Sequence, residues 1–377
     1  VFWISNNIGA GFFPHFMLAD EVARIAELEG QFGFVKNSAA DLATVPKGLA
    51  GITKPHSSVN ATPWAFISLA VCMMAGTASL PHVMMRYFTT PSVRTARRSV
   101  GWSLFFIFLL YSSAPMLATL SKISLMDPTL ATGIIGKSVA DVQALDWYQN
   151  WNQANLMFVS DFNGNGTLEL NEFFMKGSAV VLATPEIAGL PYVISGLVAA
   201  GGMAAAMSTA DGLVLAISNA LSHDVYYKII NPKAETAKRL IVARVLLVLI
   251  GFAGATIAAL EIQGILGSVI WAFDFAMSGL FFPLVLGVWW KRANAPGAVA
   301  GMLLGLISGT AYLVWVRSGG SGFLGITQLT FGIVGASVSL VSMIVVSLIT
   351  AAPDAAIQKM VDEVRIPSGK TILGKQH

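Results

Sequence analysis

The sequence predicts an all-α polytopic membrane protein. The first reason is composition. Hydrophobic residues make up 55% of the chain, charged residues 11%, and the mean hydropathy is +0.69, whereas a soluble domain carries roughly 25% charged residues. The second reason is the apolar runs at 62–85, 99–121, 187–222, 239–260, 263–290, 297–316 and 324–350. A helix needs about 20 apolar residues to cross a bilayer. The third is that 21 of the 23 Lys and Arg residues fall outside those runs, the other two, Arg239 and Arg244, lying at the start of 239–260.

In chain order, residues 1–17 read as the end of a further span. The chain opens "VFWISNN", with neither Met nor signal peptide. The expectation is a fragment whose N-terminal helices are missing. "LADEVARIAELEG" reads as an outer amphipathic helix with an apolar stripe of Leu18, Val22, Ile25 and Leu28, stopped at Gly30. "HFMLAD" places His15 and Asp20 at a spacing known from acyltransferases, but two residues at one spacing do not make an enzyme, and none is expected. The run 62–85 is interrupted at "AGTASLPHVMMRYFTTP", where Gly76, Thr77, Ser79 and Pro81 can free backbone groups for ligands. His82 reads as an interfacial cap near Arg86. Cys72, the one cysteine, lies in this run, so no disulfide and no cysteine-based metal site forms within the chain. In 297–316, Gly297, Gly301, Gly305 and Gly309 recur every fourth residue, the mark of close helix packing. No Walker A sequence is present, so an ATP-driven pump is not expected.

The basic residues fix a sidedness. Segments 86–98, 223–244, 291–292 and 351–377 together hold 15 Lys and Arg; 18–61, 122–186 and Arg317 hold 8. The positive-inside rule puts the richer set in the cytoplasm. The C-terminus is then cytoplasmic and 122–186 a long outer loop of a single transporter domain, 1–377, in the cell membrane.

Within that loop lies "DFNGNGTLELNE". An EF-hand loop takes oxygen ligands at positions 1, 3, 5, 7, 9 and 12, with Gly at 6. Asp161, Asn163, Asn165, Thr167 (by its carbonyl), Glu169 and Glu172 fill them, and Gly166 takes the sixth place. The expectation is a structural Ca2+ site of modest affinity. The competing reading is an Asn/Gly-rich turn between two surface helices.

Two carboxylates fall inside spans, Asp211 and Asp274. Each costs about 2.5–3.5 kcal/mol at a helix centre, and such residues mark ion or substrate paths. Helical spacing puts Ser208, Asp211 and Gly212 on one face, continuing to Ser218, Asn219 and Ser222, with Thr209 at its edge. Hydroxyls, carbonyls and a carboxylate are hard ligands that suit sodium. A small-residue packing seam is the alternative. Asp274 and Ser278 are one turn apart on another span.

"MAAAMSTADGLVLAISNALSHDVYY" resembles the signature helix of the sodium:solute symporter family. "AGTASLPHVMMRYFTTPSVRTARRSVGW" resembles its acetate permease branch, and "DWYQNW", "DFNGNG" and "LATPEIAGLP" resemble the cation/acetate symporter-like subgroup. The resemblance covers essentially the whole chain. It implies the LeuT-like architecture of two inverted five-helix repeats, here the second repeat plus two extra C-terminal helices. On that footing 62–85 is the sixth core helix, 187–222 the eighth and 263–290 the tenth. The resemblance also puts Ser208 and Thr209 on the paired hydroxyl positions of the main sodium site, Ala205 on a carbonyl position, and Asp211 where some relatives with a second sodium site have serine. Gly76, Thr77, Asp274 and Ser278 become substrate-path residues.

The expected function is sodium-coupled uptake of a small monocarboxylate such as acetate, with Na+ as coupling ion. The expected partners are the lipid bilayer and a small organic anion, with a small membrane subunit as a further candidate and no nucleic acid. A proton-coupled carrier using Asp211 or Asp274 and a transporter-like nutrient sensor are the rivals. The short ending "GKTILGKQH" argues against a fused kinase.

Overall fold

The computed structural model describes residues 18–31, 63–85, 90–170, 172–260 and 264–365. His15, Arg86, the run 1–17 and the C-terminal "GKTILGKQH" lie outside them. In chain order the elements are α1 (Leu18–Gln31), α2 (Pro63–Ser79), α3 (Pro81–Met85), α4 (Val93–Met126), α5 (Val139–Gln143), α6 (Asp146–Gln153), β1 (Met157–Val159), β2 (Phe173–Met175), α7 (Val180–Ile187) and α8 (Tyr192–Asn219). A π-helical stretch, Ala220–Ile230, continues α8. Then come α9 (Thr236–Ala259), α10 (Ile265–Ala276), a π turn (Met277–Phe281), α11 (Phe282–Trp289), α12 (Ala295–Arg317), a 3-10 turn (Phe323–Gly325), α13 (Gly332–Ile349) and α14 (Ala355–Arg365).

Among the described residues, 6 helices are long and apolar enough to span a bilayer: Val93–Met126, Tyr192–Ile230, Thr236–Ala259, Ile265–Trp289, Ala295–Arg317 and Gly332–Ile349. This is a multi-pass, all-α membrane protein. Several ends differ from the sequence reading, each for a local reason. Helix α2 stops at Ser79 because Pro81 cannot supply the next amide. Helix α8 starts at Tyr192, not 187, because Gly189 turns the chain with φ +66 and closes α7, its amide donating to Glu186 O at 3.0 Å. Helix α13 starts at Gly332, not 324, after a turn in which the Thr327 amide donates to Thr330 Oγ1 at 2.9 Å. Helix α1 runs through Gly30 to Gln31.

The chain divides into two compact units, Val1–Ser58 with Gly101–Met207 and Val59–Val100 with Ser208–His377. The first, the hairpin unit, turns the segment read as an outer loop into folded structure. Strands β1 and β2 pair antiparallel with Met157 opposite Met175 and Val159 opposite Phe173. Their apolar residues enter a core of Ile25, Leu28, Leu120, Ile123, Met157 and Phe173 with their neighbours. Ile25 and Leu28 are the buried part of the α1 stripe, and Val22 is half-buried. Arg24 pairs with Asp127 and Lys122 with Glu29, which ties α1 to the end of α4.

The second, the bundle unit, is held by its glycines. A Cβ on Gly297 would lie 1.9 Å from Ser347 Oγ, on Gly301 3.1 Å from Ser339 O, and on Gly305 2.1 Å from Ser278 O. The four-residue stripe is thus the surface by which α12 meets α13 and the π turn, as the spacing implied. The Asn294 side chain accepts from the Gly297 amide at 3.0 Å to start α12, and its Nδ2 donates to Thr350 Oγ1 at 2.7 Å.

Candidate functional site

Helix α8 carries the first set of predicted residues. Ala205, Ser208, Thr209 and Asp211 lie on its continuous α-helical part, and all four are exposed. The face turns inward only near its end. Ser218 is buried and its hydroxyl donates to Ala243 O of α9 at 2.8 Å, and Ser222 is also buried. From Ala220 the helix is π-helical, so each turn takes in an extra residue and the polar face no longer follows the 3.6-residue line. The expected single face from Ser208 to Ser222 is therefore split between an exposed part and a packed part.

The second set lies in the bundle unit. Asp274 and Ser278 are both 0% exposed. The Ser278 hydroxyl donates to the backbone O of Asp274 at 2.7 Å. Helix α10 gives way there to the π turn Met277–Phe281, whose wider winding lets α12 approach: a Cβ on Gly309 would be 2.9 Å from Ser278 Oγ. Gly76 belongs to the same contact, since its Cβ would meet Phe273 O at 2.5 Å. It lies inside unbroken helix; the break comes at Leu80. Thr77 is exposed, and its hydroxyl donates back to Met73 O at 2.7 Å. The structure thus brings Gly76, Asp274 and Ser278 into one packed region and leaves Thr77 on another face. Cys72, Phe331 and Gly332, not singled out by the sequence reading as site residues, surround the Asp274 carboxyl. Cys72 had read as a small buried apolar residue, and it is buried, its thiol 3.8 Å from Thr330 O.

The third set, Asp161–Glu172, joins β1 to β2, so its flanks are strands and not the two surface helices of an EF-hand or of the simple-turn reading. Short β-prone triplets, "MFV" and "FFM", explain the difference. The loop winds around its first carboxylate: Asp161 Oδ1 accepts from the Gly164 amide at 2.8 Å and Oδ2 from the Gly166 amide at 2.9 Å. Gly164 and Gly166 have φ of +70 and +71, a conformation glycine adopts without strain. Glu172 is buried, with its two carboxylate oxygens accepting from the Phe162 and Glu169 amides at 2.9 and 3.0 Å. Glu169 Oε1 accepts from the side chains of Asn163 and Asn165 at 2.9 and 3.0 Å. Thr167 bridges Ser138 through the backbone. The loop's ligand candidates thus satisfy one another, and no cluster of three His, Cys, Asp or Glu gathers for a metal among the described residues. A calcium ion would have to draw Glu169 away from the two asparagine amides.

Comparison with known proteins agrees with the polar helix. The model of the sodium:solute symporter family matches residues 176–305, which contain α8, Asp211 and Asp274. An uncharacterized symporter of Cupriavidus necator is 40% identical over 310 residues, covering 80% of this chain and 44% of the relative. A monocarboxylic acid transporter of Corynebacterium glutamicum is 28% identical over 255 residues, covering 67% of this chain and 39% of the relative. The chain thus spans less than half the length of these curated relatives. Over residues 176–305 the chain is thus similar to the sodium:solute symporter family.

Proposed function

We propose that the protein is a secondary active transporter that couples sodium entry to uptake of a small monocarboxylate such as acetate. The observation that carries this reading is the exposed row Ala205, Ser208, Thr209 and Asp211 on an apolar helix inside the family-matched segment. Two hydroxyls, a carboxylate and helix carbonyls are hard oxygen donors of the kind a sodium ion takes. The monocarboxylate assignment is supported by the name of the Corynebacterium relative and by the acetate-permease-like motifs. The same reading takes the inverted-repeat architecture, puts residues 122–186 outside the cell and the C-terminus in the cytoplasm, following the bias of the basic residues. As a carrier it needs no catalytic residues.

The test is uptake into proteoliposomes with and without an inward sodium gradient. Uptake should require the gradient, and replacing Ser208 and Thr209 together with Ala should raise the sodium concentration for half-maximal uptake about tenfold or more, equivalent to about 1.4 kcal/mol or more. Unchanged sodium dependence in the double variant would remove the assignment. A structural calcium ion is proposed for Asp161–Glu172, supported by the winding of the loop around Asp161. Calcium at a hundredfold excess over Kd should stabilise by about 2.7 kcal/mol, and Glu172→Gln should abolish that gain. A thermal midpoint indifferent to millimolar calcium in the unaltered protein leaves the motif as a hairpin turn.

A further inference from the structure

Among the described residues, Asp274 is the one buried carboxylate of the bundle unit. It is 0% exposed, has no counter-charge among the described residues, and makes no hydrogen bond of good geometry, the nearest donors being the Cys72 thiol and the Phe331 and Gly332 amides. The hydroxyl one turn away is committed elsewhere, because Ser278 donates to the Asp274 backbone oxygen at 2.7 Å. Around the carboxyl stand Cys72 of α2, Phe331, and Gly332 at the start of α13, where a Cβ would come within 2.9 Å of Asp274 Oδ1. The wall continues as an apolar cluster of Cys72, Ala75, Met277 and Ala336, with Phe281, Phe282 and Ile333 against it.

Two occupants could offset the charge of such a carboxylate: a metal cation or a proton. A sodium ion needs several hard oxygen ligands, and the lining offers a thiol, glycines and hydrocarbon. A proton needs only the carboxyl itself. An ionised carboxylate left unpaired in an apolar site costs far more than its neutral form, so the group takes up a proton instead. The charges on the packed elements do not alter this. Cys72 is the only titratable group in α2, and α13, α11 and the π turn contain none. Helix α12 brings Tyr312, whose hydroxyl donates to Ile326 O at 3.0 Å, and Arg317, whose guanidinium lies 5.0 Å over the Trp271 ring.

We propose that Asp274 is a proton-binding site of the carrier, holding its proton while α2, α10 and α13 are packed as here and releasing it to water when they separate. The π turn Met277–Phe281 follows α10 three residues past Asp274, and the break at Leu80–Pro81 ends α2; at both, helical hydrogen bonding is already interrupted. The transport consequence rests on the carrier reading above: sodium-driven uptake should depend on pH through this group. The proton itself does not rest on that reading.

Infrared difference spectroscopy of the purified protein between acid and neutral pH tests the site directly. The wild type should keep a protonated-carboxyl band at neutral pH, and Asp274→Asn, the near-isosteric neutral form, should lack it. Should Asp274→Asn fail to fold, Asp274→Leu serves as the second neutral replacement. A wild type with no such band at neutral pH, or a band unchanged by either replacement, overturns the proposal. In proteoliposomes, a single titrating site changes its occupancy by up to about tenfold per pH unit. The wild-type rate should follow that titration, and the Asp274→Asn rate should lose it. Equal pH profiles overturn the transport role. Absence of sodium-driven uptake in both proteins at every pH overturns the carrier reading, and the infrared band still decides the proton.

Discussion

The hairpin unit and the bundle unit treat buried charge in opposite ways. Among the described residues of the hairpin unit, each buried ionisable side chain has an opposite charge or a hydrogen-bond donor near it. Lys122, 1% exposed, pairs with Glu29; Asp127 pairs with Arg24; Glu21 lies 3.8 Å from Arg24; and Glu172 accepts from two backbone amides. In the bundle unit Asp274 is equally buried and no counter-charge stands against its carboxyl among the described residues; only the Cys72 thiol and the Phe331 and Gly332 amides face it. A charge buried with its partner serves to fix register, and its removal harms the fold. A carboxyl buried alone costs stability and is kept for what it can bind.

The largest effect is expected from breaking a pair in the hairpin unit. Lys122→Ala strands Glu29 without its counter-charge and should cost about 3–5 kcal/mol. Thermal unfolding and limited proteolysis between α1 and β2 would register it. The double change Lys122→Met with Glu29→Leu should recover most of the loss, since an apolar pair replaces an ionic one at little cost. A single variant as stable as the wild type would show that the pair does not hold the unit together.

A middle-sized effect separates the packed glycines from the open ones. Gly305→Ala drives a methyl to 2.1 Å from Ser278 O, whereas Gly201→Ala meets nothing within 4 Å. The first should destabilise by about 1–3 kcal/mol, and the second should be neutral or stabilising by up to about 1 kcal/mol, the helix propensity gained. Equal thermal midpoints for the two variants would break the contrast between the bundle seam and the exposed face of α8.

The smallest effect concerns acid. Burial pushes the Asp127 carboxyl up, but the Thr129 hydroxyl and amide and the Arg24 guanidinium outweigh it and hold the group below its ordinary value. A lowered carboxyl stabilises the folded form above the unfolded value, about 4, and loses that contribution as pH falls through the lower folded value. Between neutral pH and about pH 4 this pair should therefore protect the hairpin unit, and Asp127→Asn should flatten the acid limb of its stability curve. An acid limb unchanged in the variant would assign that loss of stability to other carboxylates.

The sequence by itself determined the class, most of the spans and the resemblance to the symporter family. These follow from local quantities: a run of apolar residues long enough for a bilayer, a glycine every fourth residue, and a contiguous signature helix around Asp211. It also singled out Asp274, because a carboxylate within an apolar run is conspicuous in any alignment of charge with hydropathy. What only the tertiary structure decided is how the flagged residues differ. Asp211 and Asp274 read alike, yet Asp211 is exposed and Asp274 is closed in by Cys72, Phe331 and Gly332, residues 202, 57 and 58 positions away along the chain. Likewise "DFNGNGTLELNE" read as an EF-hand-pattern calcium loop or a turn between two surface helices, and folding made it a hairpin connection, because the strand triplets on either side pair with each other. Periodicity reports which residues share a face of one element. Which element covers that face depends on contacts between distant segments, and no local pattern encodes them.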